Sequence, residues 1–470
     1  MTTTPPPAAP AAALPPPPAV AARAGQRVGA PTPASPGSPA PGAPAPAPAG
    51  GLQGRLASVE TSVRAAMAGT PGRLRAVGIV SVVATLLFGL AAGQAFRSAD
   101  GALGRAAANA DQLVRIQAIQ TNVVQADADA TNAFLVGGLE PPAQRADYSK
   151  AVGTASELIA QAAQHQPADG AALGALNQSL ISYTSAVEQA RANNRQGLPV
   201  GAQYLKAASA DLRAEALPLL TNLGEANNAR VTEEFDRAAR AALWLVVAGV
   251  LALAVLVLSL VWLARRTRRY VNVPLAAAAL VVLVTLVVGT VGLLSVKQSV
   301  DTTRAGVYAA TLATAQARIA GFDAKSNESL TLIARGSGAA FEKAWKASSA
   351  AVTTELGQLR ANPASSGLGT LPWPAYVAVH EQIRGLDDGG NWEGAVKLAT
   401  GQGDKSGNAT FAAFDKASDD QLTGLSKQTA QRLDGTGGWL PFAGVLGLLA
   451  GVIAALCAWW GVSMRLEEYR

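Results

Sequence analysis

Four stretches of the chain contain no charged residue: 76–96, between Arg75 and Arg97; 241–264, between Arg240 and Arg265; 270–296, between Arg269 and Lys297; and 435–464, between Asp434 and Arg465, of which 438–464 is taken as the fourth span. Each is long enough for the roughly 20 residues that a helix needs to cross about 30 Å of hydrocarbon, so each predicts a transmembrane helix. Trp244 and Trp262 bracket the second span, and Trp439 and the Trp459/Trp460 pair bracket the fourth. Indoles favour the headgroup level at both ends of a membrane helix. Between the spans the apolar residues recur at helical spacing. In the second long segment they run Tyr308, Leu312, Ala315, Ile319 and Phe322, the alternation of four and three that marks a bundle seam. Breakers at Gly137, Gly138, Pro141 and Pro142, at Gln166 to Gly170 and at Asn193 to Pro199 divide residues 97–240 into four helices. Residues 297–437 break similarly around Gly336 to Gly338, Asn362 to Pro374 and Asp387 to Gly390, with an extra interruption at Gly401 to Gly407. No alternating Val, Ile or Thr run suggests a sheet. The pattern predicts an all-α membrane protein, with four transmembrane helices carrying two tandem external antiparallel four-helix bundles.

The two long segments also resemble each other in detail. Ile116, Gln120, Val123, Asp127 and Ala128 match Leu312, Gln316, Ile319, Asp323 and Ala324 at one offset of 196. Tyr183, Glu188, Gln189 and Arg191 match Tyr376, Glu381, Gln382 and Arg384 at 193, and Gly201, Ala202 and Leu205 match Gly394, Ala395 and Leu398 at the same shift. Trp244 and Leu245 correspond to Trp439 and Leu440. Ordered matches with so little drift imply a duplicated unit of span, bundle and span, both copies in the same orientation.

Composition agrees with the spans. The chain is 49% hydrophobic but only 15% charged and 5% aromatic, against about a quarter charged in soluble domains, which excludes an ordinary soluble enzyme. Of the 27 prolines, 16 fall in residues 1–50. Residues 1–51 therefore read as a disordered cytoplasmic tail, retained because it lacks the cationic start and apolar run of a secretory signal. In residues 52–70, Leu52, Leu56, Val59, Val63 and Met67 form an apolar stripe opposite Arg55, Glu60 and Arg64. This reads as an amphipathic helix lying on lipid or docking a cytosolic partner. Basic residues at Arg73 and Arg75, in the loop 265–269 and in the tail 465–470 put both termini in the cytoplasm. The net charges are then −3 for 97–240, 0 for 297–437 and +9 for the cytoplasmic remainder. The basic excess records topology and attraction to the bilayer, and nucleic acid is not an expected partner.

Candidate chemistry is sparse. Gln120, Asp127, Gln316 and Asp323 lie on the same helix faces as the seam residues, where a carboxylate is costly unless partnered. They form either a polar pocket or pivot that responds to a ligand or partner, or polar pairs that fix register. Glu188 with Arg191, and Glu381 with Arg384, have the spacing of a ligand-binding pair or of a surface ion pair. His165 and His380, the only histidines, do not correspond in the repeat. Cys457 is the single cysteine and sits in an apolar run, so no intramolecular disulfide is expected. No catalytic, nucleotide-binding or metal-binding motif occurs, so no enzyme activity, cofactor or metal is expected. The spans carry no ionisable residue at depth, which argues against transport. Gly89 and Gly93, with Gly447 and Gly451, have the small-xxx-small spacing that lets spans one and four pack together or across a homodimer.

Paired membrane helices rising into helical bundles resemble the input half of chemoreceptors and sensor kinases. Only six residues follow Met464, and the second and third spans are joined by about five, so no kinase, cyclase or signalling coiled coil is expected. The layout, the duplication and the Pro-rich tail resemble the GlnX-type actinobacterial membrane proteins over about residues 75–470. That resemblance implies a signal transducer in the plasma membrane. It would relay the external availability of glutamate, aspartate or glutamine from a solute-binding lipoprotein outside to a serine/threonine kinase system, protein kinase G, inside. It carries over no individual functional residue. An envelope scaffold and a direct small-molecule receptor are the alternatives.

Overall fold

The computed structural model describes residues 70–136, 140–267 and 272–467. The expected tail 1–51, nearly all of the amphipathic stretch 52–70, the break at 137–139, residues 268 and 269 of the basic loop and residues 468–470 lie outside the described residues.

The described residues form helices joined by turns and short loops, with no strand among them, and four helical runs are long and apolar enough to cross a membrane. Helix α1 spans Thr70–Val136 without interruption, about 100 Å at 1.5 Å per residue. It contains the first span and the first bundle helix in one rod. The bundle is completed by α2 (Pro142–His165), α3 (Gly170–Arg195) and α4 (Val200–Asp211), which passes through a π-helical turn at Leu212–Ala216 into α5 (Leu217–Thr267) and so into the second span. The second copy starts with α6 (Val273–Thr303), which leaves the membrane and crosses a second π-helical turn at Arg304–Tyr308 into α7 (Ala309–Ile333). Helices α8 (Ala339–Ala361), α9 (Trp373–Asp388), the short α10 (Trp392–Thr400) and α11 (Gly407–Gly437) follow, and α12 (Leu440–Glu467) is the fourth span. The breakers read from sequence fall at these boundaries. Neither π turn coincides with those breakers, although the second contains Gly306, whose backbone leaves the helical region.

The first bundle has a seam of small and branched residues. Ile116, Ile119, Val123, Ala126 and Ala130 of α1 are buried against Ala151, Ala155 and Ile159 of α2 and Leu176, Leu180 and Val187 of α3. Apolar positions three and four apart bring these faces together, and the alanines let the helices approach closely. The second bundle holds most of its aromatic residues in one layer. Trp373 lies 4.9 Å from Phe414, and Tyr376 5.3 Å from Phe411, centroid to centroid. Helix α7 differs from the one-sided seam that its spacing predicts: Ala324 to Leu332 are all buried. The helix is surrounded, because Val124 and Ala128 of α1 join its apolar cluster from the first bundle.

In the spans the small residues set the contacts. A Cβ on Gly89 would lie 2.7 Å from the Gly451 Cα, so α1 and α12 touch backbone to backbone within one chain. Ser81 and Ser259 share a buried 3.0 Å hydrogen bond between α1 and α5. Asn272 caps α6 and donates through Nδ2 to the Gly461 carbonyl of α12. The large exposed apolar side chains, among them Leu87, Leu243, Trp244, Leu258, Phe442 and Trp460, concentrate on the spans, where lipid rather than water is their natural cover.

Candidate functional site

The repeat-equivalent aspartates meet between the bundles on one guanidinium. Asp127 of α1 is 1% exposed. Arg213, in the π turn that follows α4, reaches it with Nη1 at 2.9 Å and extends Nη2 to Asp323 of α7 at 2.8 Å. Hydroxyls supply much of the remaining capacity of the two carboxylates. Ser209 and Ser326 donate to Asp127 Oδ2 at 2.7 and 2.5 Å, and Tyr183 donates to Oδ1 at 3.3 Å. Ser348 of α8 and Asn327 donate to Asp323 Oδ2 at 2.5 and 3.1 Å. Burial works against the Arg213 charge, but the two aspartates outweigh it and hold its pKa above the ordinary value. Burial and the Asp127 charge both push the Tyr183 phenol well above its usual range, so it donates rather than ionises. The π turn places this arginine. Inserting one residue into the helical ladder re-aims a side chain, and such turns recur at functional positions.

Beside this clamp lies a cleft of about 710 Å³, bounded by α1 and α5 on one side and α7 and α8 on the other. Gln120 and Gln316 both line it, as does Asp323. Leu113, Ile116, Val124 and Ile319 give it an apolar part. The sequence-derived group Gln120, Asp127, Gln316 and Asp323 therefore resolves into a charge clamp and an adjoining cleft.

The second pair of candidates lies elsewhere. Arg191 at the membrane-distal end of the first bundle pairs with Glu188 at 2.9 Å and with Glu140 at 2.9 Å, and its guanidinium sits 4.0 Å over the Tyr148 ring. Arg191, Glu188 and Glu140, with Arg145 and Arg195, line a smaller cavity of about 290 Å³. The repeat does not reproduce the arrangement. Glu381 is exposed, and Arg384 turns to Asp387, Asp388 and, at 3.5 Å, Glu342.

A third group, which the sequence pattern did not single out, is buried in the second bundle. His380 is 1% exposed. Its Nδ1 lies 2.9 Å from Glu328 Oε2 and its Nε2 3.3 Å from Glu342 Oε2. Lys325 Nζ reaches the other Glu328 oxygen at 2.8 Å, and the Trp345 indole stacks on the imidazole at 3.5 Å with 7° between planes. Burial opposes the Glu328 charge, but Lys325 and His380 overcome it and hold its pKa at about 2. Burial likewise lowers the His380 pKa, while the two glutamates raise it by more. Among the described residues no three His, Cys, Asp or Glu side chains are grouped to hold a metal ion.

Residues 102–236 match the family model of the actinobacterial sensor domain. The matched stretch is the first bundle with Asp127, Tyr183, Ser209 and Arg213, whereas Asp323 lies outside it, in the second copy. The match supports a sensor membrane protein of actinobacterial type, with a sensing or signalling role. No curated protein and no solved structure matches the chain.

Proposed function

We propose that the protein is a transmembrane signal transducer: its bundles face the outside, its termini face the cytoplasm, and a change in how the bundles pack is carried through the spans. One observation supports this above the others. The clamp residues stand on helical runs that enter the membrane: Asp127 on α1, Arg213 in the turn between α4 and α5, and Asp323 on α7, which continues α6. A stimulus that favours one arrangement of the clamp therefore acts on three of the four spans, and needs only about 1 to 3 kcal/mol of differential binding to shift the balance. By the likeness to GlnX-type proteins, the stimulus is glutamate, aspartate or glutamine carried by a solute-binding lipoprotein. The output by the same likeness is a cytosolic serine/threonine kinase system.

The test uses the full-length protein in its own membrane. Amino-acid-loaded lipoprotein is expected to bind it more tightly than unloaded lipoprotein, and R213M is expected to change kinase-dependent phosphorylation while the protein still reaches the membrane. Equal binding of loaded and unloaded lipoprotein, with phosphorylation unchanged on deletion of the protein, overturns the reading.

A further inference from the structure

The cleft between the bundles has an electrostatic character that the clamp does not explain. Among the described residues three carboxylates line it, Asp323, Glu225 and Glu355, and no Lys, Arg or His does. The clamp leaves it negative, since two aspartates share one arginine. Glu355 has no positive charge to relieve it, and burial alone raises its pKa. A fourth acceptor is independent of this acidic group. Gln117 is 8% exposed, lines the cleft, and its Oε1 is buried without a hydrogen-bond partner. A buried amide oxygen left unmatched costs about 1 to 3 kcal/mol, and a ligand donor can recover that cost. The rest of the lining includes the apolar side chains of Leu113, Ile116, Leu220 and Ile319. The cavity falls in the size range of small-molecule sites, which combine apolar walls with a few convergent polar groups.

We infer that the cleft between the bundles binds a small organic cation, a primary ammonium on a short apolar stem. The ammonium pairs with the Glu355 carboxylate, and a turn of the Gln117 side chain brings its unmatched Oε1 onto the same ammonium, while the stem covers the apolar lining. Such a ligand touches α1 and α5 of one copy and α7 and α8 of the other, next to the clamp, so it favours the arrangement in which the bundles are closed. Acidic amino acids are disfavoured here by three carboxylates, so the cleft is a second input and not the place where glutamate or aspartate is read. Its role as an input rests on the transducer reading; the binding itself does not.

Isothermal titration of the full-length protein in lipid nanodiscs decides the matter, with n-pentylamine and cadaverine as probes and glutarate as the anionic counterpart. The amines are expected to give saturable binding that weakens about tenfold or more in Glu355→Gln and in Gln117→Leu, the loss of a hydrogen bond to a charged group, and glutarate none. Glu355 is partly exposed at the cleft wall, so Glu355→Gln is expected to keep the wild-type unfolding temperature, which separates lost binding from lost fold. No saturable heat with either amine at millimolar concentration overturns the inference, as does binding that neither substitution weakens. If the amines fail to bind while R213M still changes phosphorylation, the cleft site falls and the transducer reading stands. Amine binding with no effect of R213M or of deletion on phosphorylation leaves the site and removes the transducer.

Discussion

Asp127 and Asp323, 196 positions apart and equivalent in the repeat, are held by the single guanidinium of Arg213 at 2.9 and 2.8 Å. The duplicated carboxylates thus share one counter-charge, and the first copy alone supplies it. Removing Arg213 leaves Asp127 buried with only hydroxyl donors. Breaking a buried pair from one side typically costs about 3 to 5 kcal/mol, so R213M is expected to lower unfolding stability by about 3 kcal/mol in denaturant titration. D323N is expected to cost less, because Asp323 is 23% exposed and solvent screens part of its interaction. In R213M/D127N the stranded charge is gone, and most of the loss is expected to return. If R213M and the double variant are equally unstable, Arg213 acts through packing rather than charge.

The spans and helix breaks were legible because each leaves a local mark, charge-free length or Gly and Pro. The offset of the repeat also singled out Asp127 and Asp323 as a pair. Arg213 left no comparable mark. It has no repeat partner, and its aim depends on a π turn within an otherwise ordinary helical stretch, Leu212–Ala216. No spacing marks His380 as part of a group, because its partners, Glu328 and Glu342, sit on two other helices, 52 and 38 positions away. A signal was present in Lys325 and Glu328, three apart in a helix whose neighbours are apolar or small. Two opposite charges on a fully surrounded helix must satisfy each other or a third group.

The His380 group sets a two-sided dependence of stability on pH. The folded pKa of His380 is raised above its ordinary 6.5, so its contribution is complete below that value and is lost as pH rises through the folded pKa. Glu328 is lowered from 4.5 to about 2. Its contribution is complete above 4.5 and is lost as pH falls toward 2. The other charged groups facing the pair are Glu342, whose pKa is also lowered, Lys325 and Arg384. The second bundle is therefore expected to be most stable between about pH 4.5 and 6.5, with the alkaline slope reduced in H380Q. Trp345, stacked on the imidazole, provides the readout: its fluorescence is expected to rise as His380 loses its proton. An H380Q profile identical to wild type above pH 6.5 contradicts the assignment.

The aromatic layer offers a test of packing without charge. Phe414 is 1% exposed and meets Trp373, Phe411 and the bare backbone of Gly321, where a Cβ would lie 2.5 Å from the Phe414 ring. F414A is expected to destabilise by about 3 to 5 kcal/mol, since the surrounding rings cannot close the cavity. G321A forces the ring to shift and is expected to cost about 1 to 3 kcal/mol through overpacking. Calorimetric unfolding of the full chain in nanodiscs measures both. A shift smaller for F414A than for G321A contradicts this account of the layer.

Glycine substitutions separate helix propensity from helix contact within the same rod. Gly104 and Gly89 both lie in α1, yet a Cβ on Gly104 meets nothing within 4 Å, while one on Gly89 falls 2.7 Å from the Gly451 Cα. Alanine is the better helix former by about 1 kcal/mol, so G104A is expected to be neutral or to raise thermal stability slightly. G89A gains the same propensity but obstructs a backbone contact that cannot yield without moving α12 away from α1. Lipid tails supply no hydrophobic force to draw the helices back together, so lost van der Waals contact there is not replaced. G89A is therefore expected to lower the thermal stability of the protein in nanodiscs and to weaken a disulfide crosslink engineered between spans one and four. Equal effects of G89A and G104A on both measurements would show that the close approach of Gly89 to Gly451 is not what holds these two spans together.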